Sequence, residues 1–290
     1  MTKSGARGHR VPPFFVAVLT AYFTRAAAGA VTALPLVFGV AASGAERLES
    51  DRALFAPGAL LLVELLRTGA PTLLASAGST LVVVPFGLAL TLPATALLFV
   101  TANTPEAPLG QALPRALRVL PAFVAFGLLE LALGVVAVVI GALVAVVVLA
   151  LSPLGALAED LLALSCLAAG LVLAAAAGMA LDLARAAAVP SAMPLRRALR
   201  SASATLRRAL APAAGGYALA TGASALLVAV GARGAELLEV ERDGAARWVA
   251  VVALHQGVLA LLAVIQGLWV LRATALVAAG AQTTPGSPRT

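Results

Sequence analysis

One stretch decides the fold of this chain: Trp248–Trp269, with the sequence WVAVVALHQGVLALLAVIQGLW. It contains no Asp, Glu, Lys or Arg; Arg247 precedes it, and Arg272 follows within one helical turn. A helix rises about 1.5 Å per residue, so the two tryptophans stand about 31 Å apart, close to the thickness of a bilayer's hydrocarbon core. Because indole rings favour the membrane–water interfaces, this stretch predicts a membrane-spanning helix with a tryptophan at each interface.

The composition of the whole chain extends this prediction to further helices. Of the 290 residues, 61% are hydrophobic and 11% are charged, and the mean hydropathy is +1.02. Soluble globular proteins are about 25% charged, and disordered segments contain few apolar residues, so both classes are excluded. Six apolar stretches are long enough to cross a bilayer. They cover residues 16–42, 72–102, 121–151, 161–184, 209–232 and 248–271.

The fold class that we expect is all-α: a polytopic transmembrane helix bundle of six spans, with short amphipathic helices at the membrane interface. Residues 1–281 form a single integral membrane domain in this interpretation, and residues 282–290 form a disordered tail. Residues 57–67 are apolar but too short to span, so we expect a short helix on the outer face there.

The basic residues predict which way the chain crosses the membrane. The segments on the N-terminal side carry 13 basic and two acidic residues, and those on the opposite side carry six basic and ten acidic residues. Cytoplasmic loops are enriched in Lys and Arg, so both termini are predicted to be cytoplasmic. The net charge of +7 then reflects orientation, and no nucleic-acid partner is expected. A basic N-terminus before an apolar run is also typical of a signal peptide, but Arg25 at the cleavage position favours an uncleaved helix.

Two amphipathic segments precede apolar spans. The sequence RALR occurs at Arg115–Arg118 and again at Arg197–Arg200, and an internal duplication is one interpretation of this repeat. On a helical projection of the second segment, the arginines share one face opposite a row of leucines, as in a helix that lies in the interface plane. We expect these arginines to contact anionic lipid headgroups, with docking of a cytoplasmic partner or binding of an anionic ligand as the alternative. They are Arg196, Arg197, Arg200, Arg207 and Arg208.

A few polar residues lie inside the predicted spans, where ionisable groups are costly and often functional. Arg25 and Glu130 fall at similar predicted depths, so they are candidates for an ion pair that fixes helix packing or for a transport or proton-relay role. The alternative for Arg25 is a side chain that extends to the cytoplasmic surface. His255 and Gln266 lie on one face of the sixth span, where they either line a cavity or form interhelical hydrogen bonds. Asp182 and Arg185 are one helical turn apart, which predicts a local surface pair.

No catalytic or metal-binding pattern occurs in the chain. The motifs HExxH, GxSxG and GxxxxGK[ST] are absent, and one cysteine, Cys166, with two histidines cannot form a cysteine–histidine cluster. We therefore expect no cofactor and no enzymatic activity. Small residues recur at four-residue spacing, as in closely packed membrane helices, and form three ridges. These are Gly170–Ala174–Gly178, Ala137–Gly141–Ala145 and Gly216–Ala220–Ser224.

The hairpins preceded by A-L-R helices, here at Arg115–Arg118 and Arg197–Arg200, resemble uncharacterised bacterial six-helix membrane domains. The layout is similar to the membrane domain fused to some bacterial glycerophosphodiester phosphodiesterases, but no catalytic domain is present here and no functional residue carries over. The heavy use of Arg, Ala, Gly and Pro is typical of a GC-rich bacterial genome. The expected function is a non-enzymatic, structural or partner-organising component of the bacterial inner membrane. The alternative is a small permease or the membrane subunit of a transporter.

Overall fold

The computed structural model describes residues 12–44, 70–151, 156–190, 192–238 and 245–282, and all regular structure in these ranges is helical. The predicted all-α fold with six membrane-length helices is confirmed, because all six helices are long and apolar enough to span. They are α1 (Pro13–Gly44), α2 (Ala70–Asn103), α3 (Leu109–Leu151), α4 (Ala156–Ala188), α5 (Leu195–Leu237) and α6 (Ala245–Gln282). The predicted outer-face helix at residues 57–67 and the tail beyond Gln282 lie outside the described ranges.

The helices contribute to two compact units. The first unit comprises Met1–Thr95 and Thr221–Gly267, and the second comprises Ala96–Ala220 and Leu268–Thr290. In the first unit, the hydroxyl of Tyr22 on α1 donates a hydrogen bond to Oε1 of Gln256 on α6, at 2.5 Å. In the second unit, the ring of Phe123 on α3 meets two rings edge to face, that of Phe99 on α2 and that of Phe126 on α3.

Among the described residues, small side chains predominate inside beside a few large ones such as Phe99, Phe123 and Phe126, and many large aliphatic side chains lie outside. Alanines make up most of the buried set, whereas many leucines and valines are exposed. A water-soluble protein buries its large apolar side chains, but lipid solvates leucine as well as protein does, so membrane helices pack through small residues instead. The pattern supports a lipid environment. Buried examples are Ala184, Ala186, Ala187, Ala188, Ala198 and Ala202; exposed examples are Leu171, Val172, Leu173, Leu219 and Leu226.

Two of the predicted small-residue ridges pack directly against each other. A Cβ atom built on Gly170 of α4 would lie 2.9 Å from the carbonyl oxygen of Ala137 on α3. A Cβ atom on Gly141 of α3 would lie 3.0 Å from the carbonyl oxygen of Cys166 on α4. The backbones of α3 and α4 therefore approach as closely as glycine allows, and the register of this antiparallel pair is fixed.

Prolines have different effects on the two amphipathic segments. In α5, Ala209 leaves helical geometry with φ −134° and ψ 38°, three residues before Pro212. The proline ring displaces the preceding turn, so the basic segment beginning at Leu195 and the apolar segment are two helices joined at a kink. In α3 the helix continues through Pro121. The amphipathic segment of α3 and its apolar span therefore form one continuous helix.

Candidate functional site

A charged network in the second unit joins three helices. Arg185 of α4 is its centre, with a side chain only 6% exposed. One guanidinium nitrogen, Nη2, donates to Oε2 of Glu130 on α3 at 2.5 Å, and the other, Nη1, donates to Oδ1 of Asp182 at 2.8 Å. The second oxygen of Asp182, Oδ2, accepts a hydrogen bond from the indole nitrogen of Trp269 on α6, at 2.9 Å. These bonds tie α3, α4 and α6 together.

A tyrosine from a fourth helix packs beside this network. The ring of Tyr217 on α5 meets that of Trp269 edge to face, with the centroids 5.0 Å apart. Its hydroxyl lies 2.7 Å from where a Cβ atom on Gly178 would be, and Oε1 of Glu130 lies 3.7 Å from the same point. The absence of a side chain at Gly178 thus leaves room for the tyrosine hydroxyl and the carboxylate. Gly178 is also the last residue of the small-residue ridge of α4. The same glycine therefore belongs to the helix-packing ridge and borders the charged network.

Two features leave the network electrostatically incomplete. One guanidinium faces two carboxylates, so the fully ionised cluster carries a net charge of −1. The Nε atom of Arg185 is buried without a hydrogen-bond partner, which typically costs about 1–3 kcal/mol. The side chain of Glu130 is 46% exposed, whereas that of Asp182 is 14% exposed. A cation, a proton or a partner's hydrogen-bond donor therefore has access to Glu130 but hardly to Asp182.

The inward stripe of α3 includes Glu130. On this face of α3, Phe126, four residues before Glu130, and Phe123 and Ala137, seven residues to either side, are buried, whereas Leu133 is 39% exposed. A carboxylate at such a position points toward other helices rather than directly into lipid, which is where ionisable groups of membrane proteins are found. Glu130 therefore lies at the exposed edge of this stripe, with its bond to Arg185 directed toward α4.

The four sequence-predicted polar residues fall in different units. Glu130 belongs to the second unit, and its ion pair there is with Arg185. Arg25, the partner hypothesised from sequence, belongs to the first unit and is half-buried, as is Gln266. His255 is also in the first unit and is exposed. The residue of this segment with a defined interhelical hydrogen bond is Gln256, the acceptor for Tyr22.

Two predictions about the second unit need correction. The Asp182–Arg185 pair forms as expected, but Arg185 is buried, so the pair is not a surface one. Trp269 is 4% exposed and is bonded to Asp182, so its ring packs in the protein and is not a lipid-facing anchor. In both cases the side chain has a partner on another helix, which neither hydropathy nor helical spacing reveals.

The sequence did not identify four residues of this network as site candidates: Asp182, Arg185, Tyr217 and Trp269. The available signal was the charged pair itself: Asp182 and Arg185 stand at i, i+3 near the end of an apolar helix. Ion pairs of this spacing are usual on exposed helix faces, so the spacing alone favours a surface position. Since Glu130 is 55 residues from Arg185 along the chain, their contact depends on the register of α3 against α4.

The basic segment of α5 presents its arginines outward. Its buried residues are Ala198, Ala202 and Thr205, which lie on one stripe. Arg208 also bonds the protein, because its Nη1 donates to the carbonyl of Gly280 near the end of α6 at 2.7 Å. All five predicted lipid-contact residues are exposed, namely Arg196, Arg197, Arg200, Arg207 and Arg208.

Comparisons with protein-family models, with curated proteins and with solved structures gave no match for this chain. The resemblance to six-helix membrane domains therefore stays a prediction. Among the described residues, no group of three or more His, Cys, Asp or Glu side chains is placed to hold a metal ion.

Proposed function

We propose that this chain is a structural or partner-organising protein of the bacterial inner membrane, without enzymatic activity. The observation that carries the proposal is the network around Arg185. Its guanidinium is bonded to two carboxylates from two helices, and one of these carboxylates also holds Trp269. Charged groups bonded in this way fix helix packing, and Asp182 and Arg185 have little access to a solute.

The half-exposed carboxylate gives such a protein a surface for a partner. An incompletely covered charge at membrane depth is costly in lipid, and a partner helix that donates a hydrogen bond to Glu130 removes part of that cost. The net charge of −1 on the cluster favours a partner with a basic or hydrogen-bond-donating side chain at that depth. We expect the partner to be another integral membrane protein.

The proposed orientation has both termini in the cytoplasm. The 13 basic residues assigned to that side against six on the other support it. In this orientation the exposed arginines of the α5 basic segment face the cytoplasmic leaflet. There each contributes about 1 kcal/mol of attraction to anionic headgroups.

A second candidate function is a small permease or a transporter membrane subunit. The specific observation in its favour is the 46% exposure of Glu130 on the inward stripe of α3, because intramembrane carboxylates that face open space often carry protons or cations. The remaining network residues then act as a fixed counter-charge that positions Glu130.

Deletion of the gene in its host distinguishes the two functions. For a partner-organising component we expect a defined set of inner-membrane proteins to fall several-fold in abundance, because unassembled subunits are degraded. Quantitative proteomics of isolated membranes measures this, and re-expression of the wild-type chain should restore the set.

The Glu130→Gln variant provides the matched test of the transporter. In proteoliposomes that enclose a pH-sensitive dye, a transporter that uses Glu130 shows proton flux in the wild type and none in the variant. An unchanged membrane proteome after deletion, together with flux that depends on Glu130, would replace the structural proposal by the transporter. A membrane proteome that changes after deletion, without proton flux that depends on Glu130, supports the structural proposal.

A further inference from the structure

A cavity of about 420 Å³ lies within the second unit, away from the Arg185 network. Three parts of the chain enclose it: the end of α2, the first turns of α3 and the connection between α4 and α5. Its volume falls in the range of about 300–1,000 Å³ that is usual for small-molecule sites. It is too small for a helix and large enough for a headgroup or a small anion.

Two arginines of α3 line this cavity, Arg115 and Arg118. They stand at i, i+3, so both guanidinium groups lie on one side of the helix. In the described ranges neither has an ion pair or a hydrogen bond to the protein, and neither pairs with Glu106 in the adjacent turn. By contrast, Arg185, Arg208 and Arg272 each donate to a protein oxygen. The two cavity arginines thus keep their donors for a ligand.

The opposite wall of the cavity is the C-terminal end of α2, whose carbonyl groups by themselves disfavour an anion. Two side chains cap these carbonyls. The Nδ2 of Asn103 donates to the carbonyl of Phe99 at 3.0 Å, and the hydroxyl of Thr104 donates to that of Val100 at 2.9 Å. The C-terminal ends of α2 and α4, which both border the cavity, together carry about one elementary negative charge, against two full positive charges, so the cavity favours an anion.

The third wall is held by the end of α4. Ala192 adopts a left-handed backbone with φ 45°, and the amide of Met193 donates to the carbonyl of Ala188 at 3.2 Å. This is the hydrogen bond of a Schellman helix ending, which turns the chain sharply beside the cavity. Val119 and Pro190 provide apolar surface next to the charged groups. Two helix ends, the first turns of α3 and the turn that follows α4 therefore border the cavity.

We propose that this cavity binds a phosphate group through Arg115 and Arg118, as part of a phospholipid headgroup or of a soluble phosphate compound. Guanidinium groups present paired N–H donors that match phosphate oxygens, and two of them neutralise a dianion. The proposal goes beyond the structural or transport function and does not rest on it. Arg115 and Arg118 are exposed like the arginines of the α5 basic segment, but they differ from them in lining the cavity.

The test has one arm for each source of phosphate. In the lipid arm, the chain is purified from vesicles of equal parts phosphatidylcholine and phosphatidylglycerol, and native mass spectrometry counts the phospholipids retained. In the soluble arm, delipidated protein in detergent is titrated with inorganic phosphate against chloride of equal ionic strength, and its thermal midpoint is followed.

The Arg115→Gln/Arg118→Gln variant is compared with Arg196→Gln/Arg200→Gln, which removes the same charge outside the cavity. We expect the first variant to lower occupancy of the cavity by about tenfold or more, as loss of charge-assisted bonds predicts. The second variant is the control for the inorganic-phosphate arm, whose response it should leave unchanged; in the lipid arm it reports the separate loss of headgroup contacts on the outer surface. If the cavity variant loses only the retained phosphatidylglycerol, the site binds a lipid headgroup. If it loses only the response of the thermal midpoint to inorganic phosphate, the site binds a soluble ligand.

A third variant, Arg115→Lys/Arg118→Lys, keeps the charge and guards against a folding defect. It should bind more weakly than the wild type, because lysine lacks the paired donors. The proposal is overturned if neither arm distinguishes the cavity variant from the wild type, or if the lysine variant binds as tightly as the wild type.

Discussion

At the scale of single residues, the direction in which Arg185 extends explains why it is buried. Side chains on a helix incline toward its N-terminus. Arg185 lies close to the C-terminal end of α4, so its side chain reaches back along the helix toward Asp182 and Glu130 instead of outward. An arginine near the N-terminal end of a span would incline toward the interface. The position of the residue within its helix thus favours an internal ion pair.

Removal of the central charge should destabilise the protein more than removal of either carboxylate. In Arg185→Gln two carboxylates lose their shared cation, and breaking a buried pair in this way costs about 3–5 kcal/mol. Glu130→Gln should cost less, since that side chain is half exposed and its amide oxygen still accepts a bond. The thermal midpoint in detergent, followed by size-exclusion chromatography, measures both.

The double variant Arg185→Gln/Glu130→Gln completes the cycle. If the two residues form a pair in the folded protein, their effects are not additive, and the coupling is about 0.5–3 kcal/mol. Effects that add within about 0.3 kcal/mol would contradict the ion pair. Arg200→Gln, at an exposed position, serves as the control and should leave the midpoint unchanged.

The sequence predicted part of this site. Glu130 stood out as an acidic residue in an apolar stretch, and Asp182 with Arg185 stood out by spacing. Their assembly was not predictable, because the protein-facing and lipid-facing sides of a membrane helix are similarly apolar. Because the two sides do not differ in hydrophobicity, the spacing of apolar residues does not indicate which face of α3 packs against α4. It therefore does not predict that Glu130 pairs with Arg185.

At the scale of helices, close contact between α3 and α4 decides the register that brings Glu130 to Arg185. The contact is made where Gly141 and Gly170 allow each backbone to approach the other. The sequence predicted these glycines as members of small-residue ridges, but it did not predict which ridges pair. In an alanine-rich chain many positions satisfy that spacing, so the pairing depends on the whole surface of both helices.

Added methyl groups at this contact should separate the helices. We expect Gly141→Ala and Gly170→Ala each to lower stability by about 1–3 kcal/mol, because the new Cβ meets a backbone carbonyl that has little room to move. The thermal midpoint measures the loss. Both variants should also weaken the Arg185–Glu130 coupling, since the register changes.

A matched control lies on the same helix. A Cβ atom at Gly134 of α3 meets nothing within 4 Å. Gly134→Ala should therefore be neutral or stabilising by up to about 1 kcal/mol, as helix propensity predicts. Equal losses at Gly134 and Gly141 would show that the glycines act through helix flexibility and not through close packing.

At the scale of the whole molecule, charge and side-chain size are arranged by different rules. The described ranges bury alanine and expose large aliphatic residues, while the basic residues of the sequence concentrate on one predicted side of the membrane. Hydropathy and the count of basic residues both reflect the free energy of transferring a side chain from water to lipid. That free energy is a property of each residue type and does not depend on packing. The six helices were therefore predictable from sequence, whereas the network and the cavity, which depend on packing, were not.

The predicted orientation can be tested with single cysteines in a chain whose Cys166 is replaced by serine. Asp243→Cys lies in a predicted outer loop. It should react with a maleimide that does not cross the inner membrane, in cells whose outer membrane has been made permeable and whose inner membrane is intact. Thr290→Cys should react only after the inner membrane is opened, because the C-terminus is predicted to be cytoplasmic. The reverse labelling pattern would contradict the orientation.

The arrangement of small residues inside and large residues outside has a consequence for how this sequence diverges in evolution. At an inward alanine such as Ala184 or Ala198, selection acts on volume, so exchanges are limited to glycine, serine and alanine. At an outward position such as Leu171 or Leu219, selection acts on solubility in lipid, so leucine, valine, isoleucine and phenylalanine interchange freely. Distant descendants of this chain would then keep its pattern of sizes after losing most of its identities.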